Sequence, residues 1–356
     1  MATLAPVEAR SGRGAELGLL LLALVASAYA YAQVGLAMTG SLPADFWRQT
    51  LGFAALVLVF HLLVRLRAAY ADPLILPLIV LLNGVGLAMI YRLQLRYQIT
   101  VPAWGQIAVR QLLWTAIGVA VAAAVVCWLR DHRSLRRFTY TAMLAGLGLL
   151  ILPLVPGIGH AEGGARIWIR LGSLTFQPAE LAKVCLAIFF AGYLVVRRDT
   201  LALTGKRLFG WQAPRLRDLG PILLAWVVSL GVLVFEKDLG TSLLFFGLFV
   251  AMLYTATDRP SWIVLGIGMF AVGVVVAYHS FSHVRDRFAI WLHPFADSVY
   301  NRSYGGSQQV VKGFFGLANG GLFGTGWGRG RPDLTDLAFS DFIVTSLGEE
   351  LGLTGL

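Results

Sequence analysis

The sequence predicts an all-α polytopic integral membrane protein, and three observations carry that reading. Apolar residues make up 57% of the 356 and charged residues 13%, roughly half the charged share of a soluble domain. Runs of about 20 apolar residues, enough to cross a bilayer core of about 30 Å as a helix, recur from Leu17 onward. Between these runs, Lys and Arg gather in alternate connections, as they do in cytoplasmic loops.

Taken in order, spans are expected at 17–36, 50–66, 74–91, 112–128, 140–155, 179–196, 221–235, 239–254 and 261–278, nine in all. The first follows Arg10 and Arg13 and passes Ala28-Tyr29-Ala30, the pattern of a secretory signal. It runs on to Met38 with many spans behind it, so it reads as an uncleaved helix. A tenth apolar run opens near Phe342 and has only about fifteen residues before Leu356, too few to cross. Further C-terminal spans are therefore expected.

With the N-terminus inside, Arg65 and Arg67, then Arg130, Arg133, Arg136 and Arg137, then the basic group from Arg197 to Arg217 share the cytoplasmic side. Segments 37–49, 92–111, 156–178, 235–239 and 279–341 then face outward. The last contains the long polar loop 282–340, well beyond ordinary connection lengths, and loops of that kind are functional or disordered. Its many aromatics, Trp291, Phe295, Tyr300, Phe314 and Phe315 among them, argue against disorder. The net charge of +10 is scattered between apolar runs and forms no single stripe, which excludes nucleic-acid binding. Cys127 and Cys185 both lie inside apolar runs, so neither a disulfide framework nor a Cys-based metal site is expected.

Four outward groups of residues could carry chemistry. In the first, Arg166, Trp168 and Arg170 lead to Pro178, Glu180 and Lys183. Pro178 suits a first helical turn, and Glu180 and Lys183 at i,i+3 share a helix face. That spacing serves a structural ion pair as well as it serves a cationic site in which Lys183, Arg166 and Arg170 hold an anion such as a lipid diphosphate. In the second, Glu236-Lys237-Asp238 and Thr241 form a tight turn in which Asp238 and Thr241 are plausible helix caps.

The third group runs from Arg285, Asp286 and Arg287 to Pro294 and Asp297. A carboxylate near a lipid surface can take a proton from a sugar hydroxyl while cations offset charge on a departing phosphate; by spacing alone, however, Asp297 reads as a surface residue. The fourth is the glycine-rich stretch 313–330, which lacks the Lys-Ser/Thr ending of a P-loop and suits a close-turning packed or re-entrant loop. Asp341, Glu349 and Glu350 are expected to frame the start of the tenth span, where carboxylates favour a helix N-terminus.

In this order and spacing, the block from Trp168 to Lys183, Asp238-Leu239-Gly240-Thr241, the Pro294–Asp297 turn, Asp341-Phe342-Ile343 and Gly348-Glu349-Glu350-Leu351-Gly352 resemble the SEDS family of bacterial membrane glycosyltransferases, most closely its RodA branch. The resemblance divides the chain into an N-terminal tail with two extra spans, 1–73, and a SEDS-like core, 74–356. It departs from the family pattern where Glu236-Lys237 replaces Gln-Pro, Ser298 follows Asp297 in place of Pro, and Phe339-Ser340 replaces His-Thr.

What the resemblance implies is a peptidoglycan glycosyltransferase of the bacterial plasma membrane. It would join lipid II into glycan strands on the outer face during elongation, with inversion at the sugar carbon. Asp297 matches the family's loop aspartate, the implied general base, and Trp168 and Lys183 match two further residues needed for activity. Arg166, Arg170, Glu180 and Asp238 are the implied substrate-binding set. A divalent cation, Mg or Mn, is a possible cofactor with no ligands to name. Implied partners are lipid II, membrane lipid, a class B penicillin-binding protein transpeptidase and other elongation or division proteins. Two other readings remain open, a lipid II flippase or transporter and a non-catalytic scaffold. A transporter normally shows related halves and mid-membrane ionisable residues, and neither is evident in the sequence.

Overall fold

A computed structural model describes residues 12–100, 106–162, 165–171, 174–203, 207–208, 211–212, 239–302 and 305–356, with the isolated residues 220, 227 and 231. Among the described residues, eight helices are long and apolar enough to cross a membrane. The chain is thus a multi-pass membrane protein. The span expected at 221–235 lies outside the described residues except for 227 and 231, so the expected nine are not all represented.

The chain forms two compact units, Met1–Arg130 with Phe288–Leu356, and Asp131–Arg287. The first holds helices α1 (Arg13–Thr39), α2 (Phe46–Arg67), α3 (Ile75–Thr100) and α4 (Ile107–Trp128). Leu22, Val25, Leu82 and Val121 stay exposed, as positions facing lipid do. Helices α1 and α3 pack along one another and meet tightly at Gly84, where a Cβ would lie 1.9 Å from the Ser27 hydroxyl. A small residue lets two backbones meet where lipid supplies no hydrophobic drive. Leu20, Ala23, Phe53, Val57 and Val80 fill one core of this unit, and Met89, Leu93, Tyr97 and Ala338 another. Gly40, left-handed at φ 74°, ends α1 and donates its N–H to Leu36.

Helix α3 continues nine residues past the expected span end at Tyr91, so residues 92–100, read from sequence as loop, are helical. The cause is Arg92, whose charge signals a membrane boundary in sequence but is neutralised inside the fold.

The second unit is built on α5 (Thr139–Ile151), α6 (Pro178–Leu203), α7 (Leu239–Thr257) and α8 (Ser261–Ser280). Leu186, Phe189, Phe190, Tyr193, Phe245 and Phe249 make its core. The segment read as an outward loop, 156–178, instead holds an antiparallel meander of β1 (Gly159–Glu162), β2 (Ala165–Leu171) and β3 (Leu174–Phe176). The all-α reading therefore holds for the spanning helices and not for this connection. A short hairpin, β4 (Arg207–Leu208) with β5 (Trp211–Gln212), follows α6.

The long loop is also largely ordered. It contains α9 (Ser282–Leu292), α10 (Asp297–Tyr300) and α11 (Gln308–Gly320), and a final helix, α12 (Ile343–Leu351), stands at the expected tenth run.

Candidate functional site

The turn carrying Asp297 is fixed from behind by one buried serine. Pro294 ends α9, and Ser307 reaches back across the turn, its hydroxyl donating to the Pro294 carbonyl and its N–H to the Val299 carbonyl at 3.3 Å. Ser307 is fully buried and Val299 nearly so. Asp297, the first residue of α10, is left exposed. No hydrogen bond or ion pair to its carboxylate occurs among the described residues, so both oxygens can accept from an external donor. Phe295 lies at a tilt against Phe314 and Phe315 of α11, 6.3 and 6.4 Å between centroids, giving this turn an exposed aromatic flank. Lys312 and Gln309 tie α11 to Asp336, at 3.4 Å from the ammonium to the carboxylate and 2.7 Å from the amide to the carbonyl.

The glycine-rich stretch wraps the end of α12. Thr325 and Gly326 donate their N–H groups to the Glu349 and Glu350 carbonyls at 3.0 and 2.9 Å, and Leu353 and Thr354 return bonds to Gly321 and Leu322 at 2.9 and 3.0 Å. Only glycine fits there, since a Cβ at Gly320 would lie 2.1 Å from the Gly348 carbonyl oxygen and one at Gly324 2.3 Å from that of Glu350.

Both carboxylates at this end are buried. Glu350 accepts from Arg92 Nε at 2.6 Å and from the Gly328 N–H at 2.8 Å. Glu349 accepts from the Arg331 N–H at 2.8 Å and Asn319 Nδ2 at 3.0 Å. Arg92 also reaches Asp333 at 3.0 Å and the Gly330 carbonyl. Glu349 and Glu350 thus close the C-terminal end of α12 and do not frame a helix start, which corrects the sequence reading. A charge at an N-terminal turn gains only from the dipole, whereas here a guanidinium and several backbone donors are available.

In the other unit, strand β2 sorts its residues by alternation. Ile169 is buried, while Arg166 and Arg170 are exposed and Trp168 half-buried. With period two, Arg166, Trp168 and Arg170 share one face of the meander. Strand β3 then runs through Gln177 into α6, whose first turn holds Pro178 and Glu180, and the Gln177 carbonyl accepts the Glu180 N–H at 3.2 Å. Lys183 lies one turn on, its ammonium 2.7 Å from the Glu180 carboxylate. Lys183 is about a quarter exposed and Glu180 more than half, so water and solutes reach the pair, and the ammonium keeps donors beyond the one facing Glu180.

Each unit therefore presents one polar assembly, an exposed acceptor in the first and a cationic, tryptophan-bearing face in the second. Asp238 lies outside the described residues. Among the described residues no group of three or more His, Cys, Asp or Glu side chains is arranged to hold a metal ion.

Sequence reasoning missed Arg92 with its carboxylate partners, and it missed the strand. The Arg-Ile-Trp-Ile-Arg alternation was the available signal for the strand. For Arg92 the signal was a cation set directly against the end of an apolar run.

The family profile described as cell cycle protein, FtsW/RodA/SpoVE, matches residues 73–356. The peptidoglycan glycosyltransferase RodA of Mycobacterium tuberculosis is 47% identical over 345 residues, covering 97% of this chain and 72% of that protein. Its counterpart in Mycobacterium leprae is 46% identical over 297 residues, covering 83% and 62%. The probable peptidoglycan glycosyltransferase FtsW of Mycobacterium tuberculosis is 31% identical over 286 residues, covering 79% and 51%. A chain from a solved peptidoglycan synthase complex aligns with a TM-score of 0.45 at 25% identity, over 87% of this chain and 72% of that one. With most of its length matched by the family profile and nearly half its residues identical to the RodA proteins, the chain belongs to the FtsW/RodA/SpoVE family, the SEDS proteins, on its RodA branch.

Proposed function

We infer that this chain is a peptidoglycan glycosyltransferase, an enzyme of the bacterial plasma membrane that polymerises lipid II into glycan strands during elongation. The observation that carries the reading is the 47% identity over 97% of the chain to proteins of that activity. The N-terminus is cytoplasmic and the loop 282–340 faces outward, in keeping with the basic clusters at alternate span ends. The SEDS core is 74–356, preceded by two further spans within 1–73, a division that the family match over 73–356 supports.

In the proposed step, Asp297 acts as general base. Its carboxylate accepts the proton of the acceptor sugar hydroxyl while that oxygen attacks the anomeric carbon of the donor. The new C–O bond forms as the bond from that carbon to the diphosphate breaks, and the electron pair leaves on the diphosphate oxygen. One base and one stable anionic leaving group suffice for a single displacement with inversion. The two carboxylates of a glycosidase are not required. Lys183, Arg166 and Arg170 offset the diphosphate charge, Trp168 packs against a sugar, and Glu180 and Asp238 complete the substrate-binding set.

The exposed, unpartnered carboxylate of Asp297 supports its role. So does the Ser307 clamp, which sets the turn before substrate arrives and so lowers the ordering cost of catalysis. A class B penicillin-binding protein is the proposed partner, with other elongation proteins alongside.

The test is polymerisation of purified lipid II in detergent with that transpeptidase present. Asp297→Asn keeps the shape and removes the base, so strand formation should fall by a factor of about 10²–10⁴. Full activity in the Asn variant would rule out the base. Elongation by the purified protein without any membrane gradient would separate the enzyme from a transporter.

A further inference from the structure

The basic residues between α4 and α5 do more than mark a cytoplasmic end. They wall a cavity of about 480 Å³ together with Arg197 of α6. Asp131 caps the turn that builds it, its carboxylate accepting the Arg133 N–H at 2.9 Å, and a 3-10 helix follows from His132 to Phe138. Three residues per turn place Arg133 and Arg136 one above the other. The Arg137 guanidinium lies 4.7 Å from the Phe138 ring centroid.

The chain then enters α5 at Thr139, whose hydroxyl donates to the Arg136 carbonyl at 2.6 Å. Thr139 can approach α6 this closely because residue 192 is glycine. A Cβ there would lie 2.1 Å from the Thr139 hydroxyl. That contact sets Tyr193, Val196 and Arg197, all on the next turn or so of α6, along the opposite wall.

Four guanidinium groups thus line one cavity, and among the described residues no carboxylate lines it. Asp131, two residues before Arg133, is engaged at the cap. Ion pairing of arginines in a helix connection normally relieves such a concentration of charge, but among the described residues none of the four is ion-paired. Guanidinium forks match phosphate oxygens in pairs. The cavity also opens where two candidate spans, His132–Leu154 and Pro178–Arg197, end. Tyr140, Leu144 and Val196 beside it are exposed apolar surface, suited to the first carbons of acyl chains. Basic pockets between membrane helices at the cytoplasmic side are where anionic headgroups are held.

We propose that this cavity is a binding site for the phosphate headgroup of an anionic phospholipid of the inner leaflet. The site is separate from Asp297, Trp168 and Lys183, and the proposal stands whether or not those residues catalyse. A lipid held there would pin the entry of α5 against the end of α6.

The test is native mass spectrometry of the detergent-purified protein titrated with dioleoylphosphatidylglycerol, cardiolipin, dioleoylphosphatidylcholine or inorganic pyrophosphate. The anionic lipids should bind about tenfold or more tightly than the zwitterionic one, and the double variant Arg136→Gln/Arg197→Gln should lose about tenfold of that affinity. Val196→Trp leaves every arginine in place and fills the mouth of the cavity from an exposed position, so it should lose a similar amount. It also decides the matter if the double variant does not fold. Arg65→Gln/Arg67→Gln, which removes two exposed charges at the end of α2, should change binding by less than about twofold.

Equal binding of phosphatidylcholine would overturn the proposal. So would a loss in the Arg65/Arg67 variant as large as in the cavity variant, or unchanged binding in Val196→Trp, because each means general charge attraction. Pyrophosphate binding as tightly as the lipids would overturn the lipid assignment in favour of a soluble anion.

Discussion

Arg92 shows how a single residue can hold a loop to a bundle. Its side chain is wholly buried in α3 and meets Glu350, Asp333 and the Gly330 carbonyl, residues more than 230 positions away. Removing one member of such a pair strands the other charge, which costs about 3–5 kcal/mol. Arg92→Met should therefore lower the thermal midpoint of the purified protein sharply, and Arg92→Met/Glu350→Met should recover part of the loss, because the stranded carboxylate is gone. A double-mutant cycle read by unfolding in detergent measures that coupling, and additive losses would mean the pair is not a unit. Neither partner was legible in the sequence, where a lone Arg ends an apolar run and two glutamates look like a helix start. Asp297 was visible only as one carboxylate in a long loop. What the structure adds is its exposure and the serine that holds its turn.

At the scale of elements, the meander and the glycine-rich stretch each separate what holds the fold from what faces outward. On β2 the two faces predict opposite outcomes. Ile169→Ala, on the buried face, should lower stability by about 2–5 kcal/mol and leave the KM for lipid II close to that of the parent. Arg166→Gln, on the exposed face, should raise that KM about tenfold with little change in thermal midpoint. Steady-state polymerisation and a melting curve on both variants check this, and a reversed pattern would mean the faces are misassigned.

In the glycine-rich stretch, Gly320→Ala and Gly324→Ala force a Cβ into backbone oxygens of α12 and should destabilise strongly. Gly268→Ala in α8, where a Cβ meets nothing within 4 Å, should be neutral or stabilising by up to about 1 kcal/mol. The spanning helices were legible because apolar length alone decides them. The meander was not, since its seven-residue β2 was read as part of a loop defined by the spans around it, although its alternation was present in the residues.

For the whole molecule, the question is whether the two helices ahead of the family-matched region are an appendage or part of the bundle. The matched stretch begins at residue 73, which by itself suggests that 1–73 could be removed. Packing in the first unit points the other way. Helix α1 lies along α3, with Ser27 set against Gly84 and with Ala30 and Tyr31 buried against Ala88. At the other end of α1, Glu16 is fully buried between Arg13 and His61 of α2, with His61 Nδ1 2.7 Å from its carboxylate, and Arg13 also holds the Ala69 and Ala71 carbonyls that lead into α3. Buried ionisable groups inside a membrane bundle are costly unless they are paired, so this pairing ties α1, α2 and the entry to α3 into one structure. A chain beginning at residue 74 keeps Asp297, Trp168, Lys183 and the Arg92 cluster but strips α3 of its main neighbour, exposing Val80, Gly84 and Ala88. Its purified form should lose the monodisperse peak on size exclusion and melt well below the parent, and polymerisation should fall with the folded fraction. Glu16→Gln in the intact chain gives the same contrast more gently. It leaves α1 in place but removes the charge between Arg13 and His61, and should cost about 3–5 kcal/mol. A truncated chain that kept the parent's midpoint and activity would show the two helices to be an addition to a self-sufficient core.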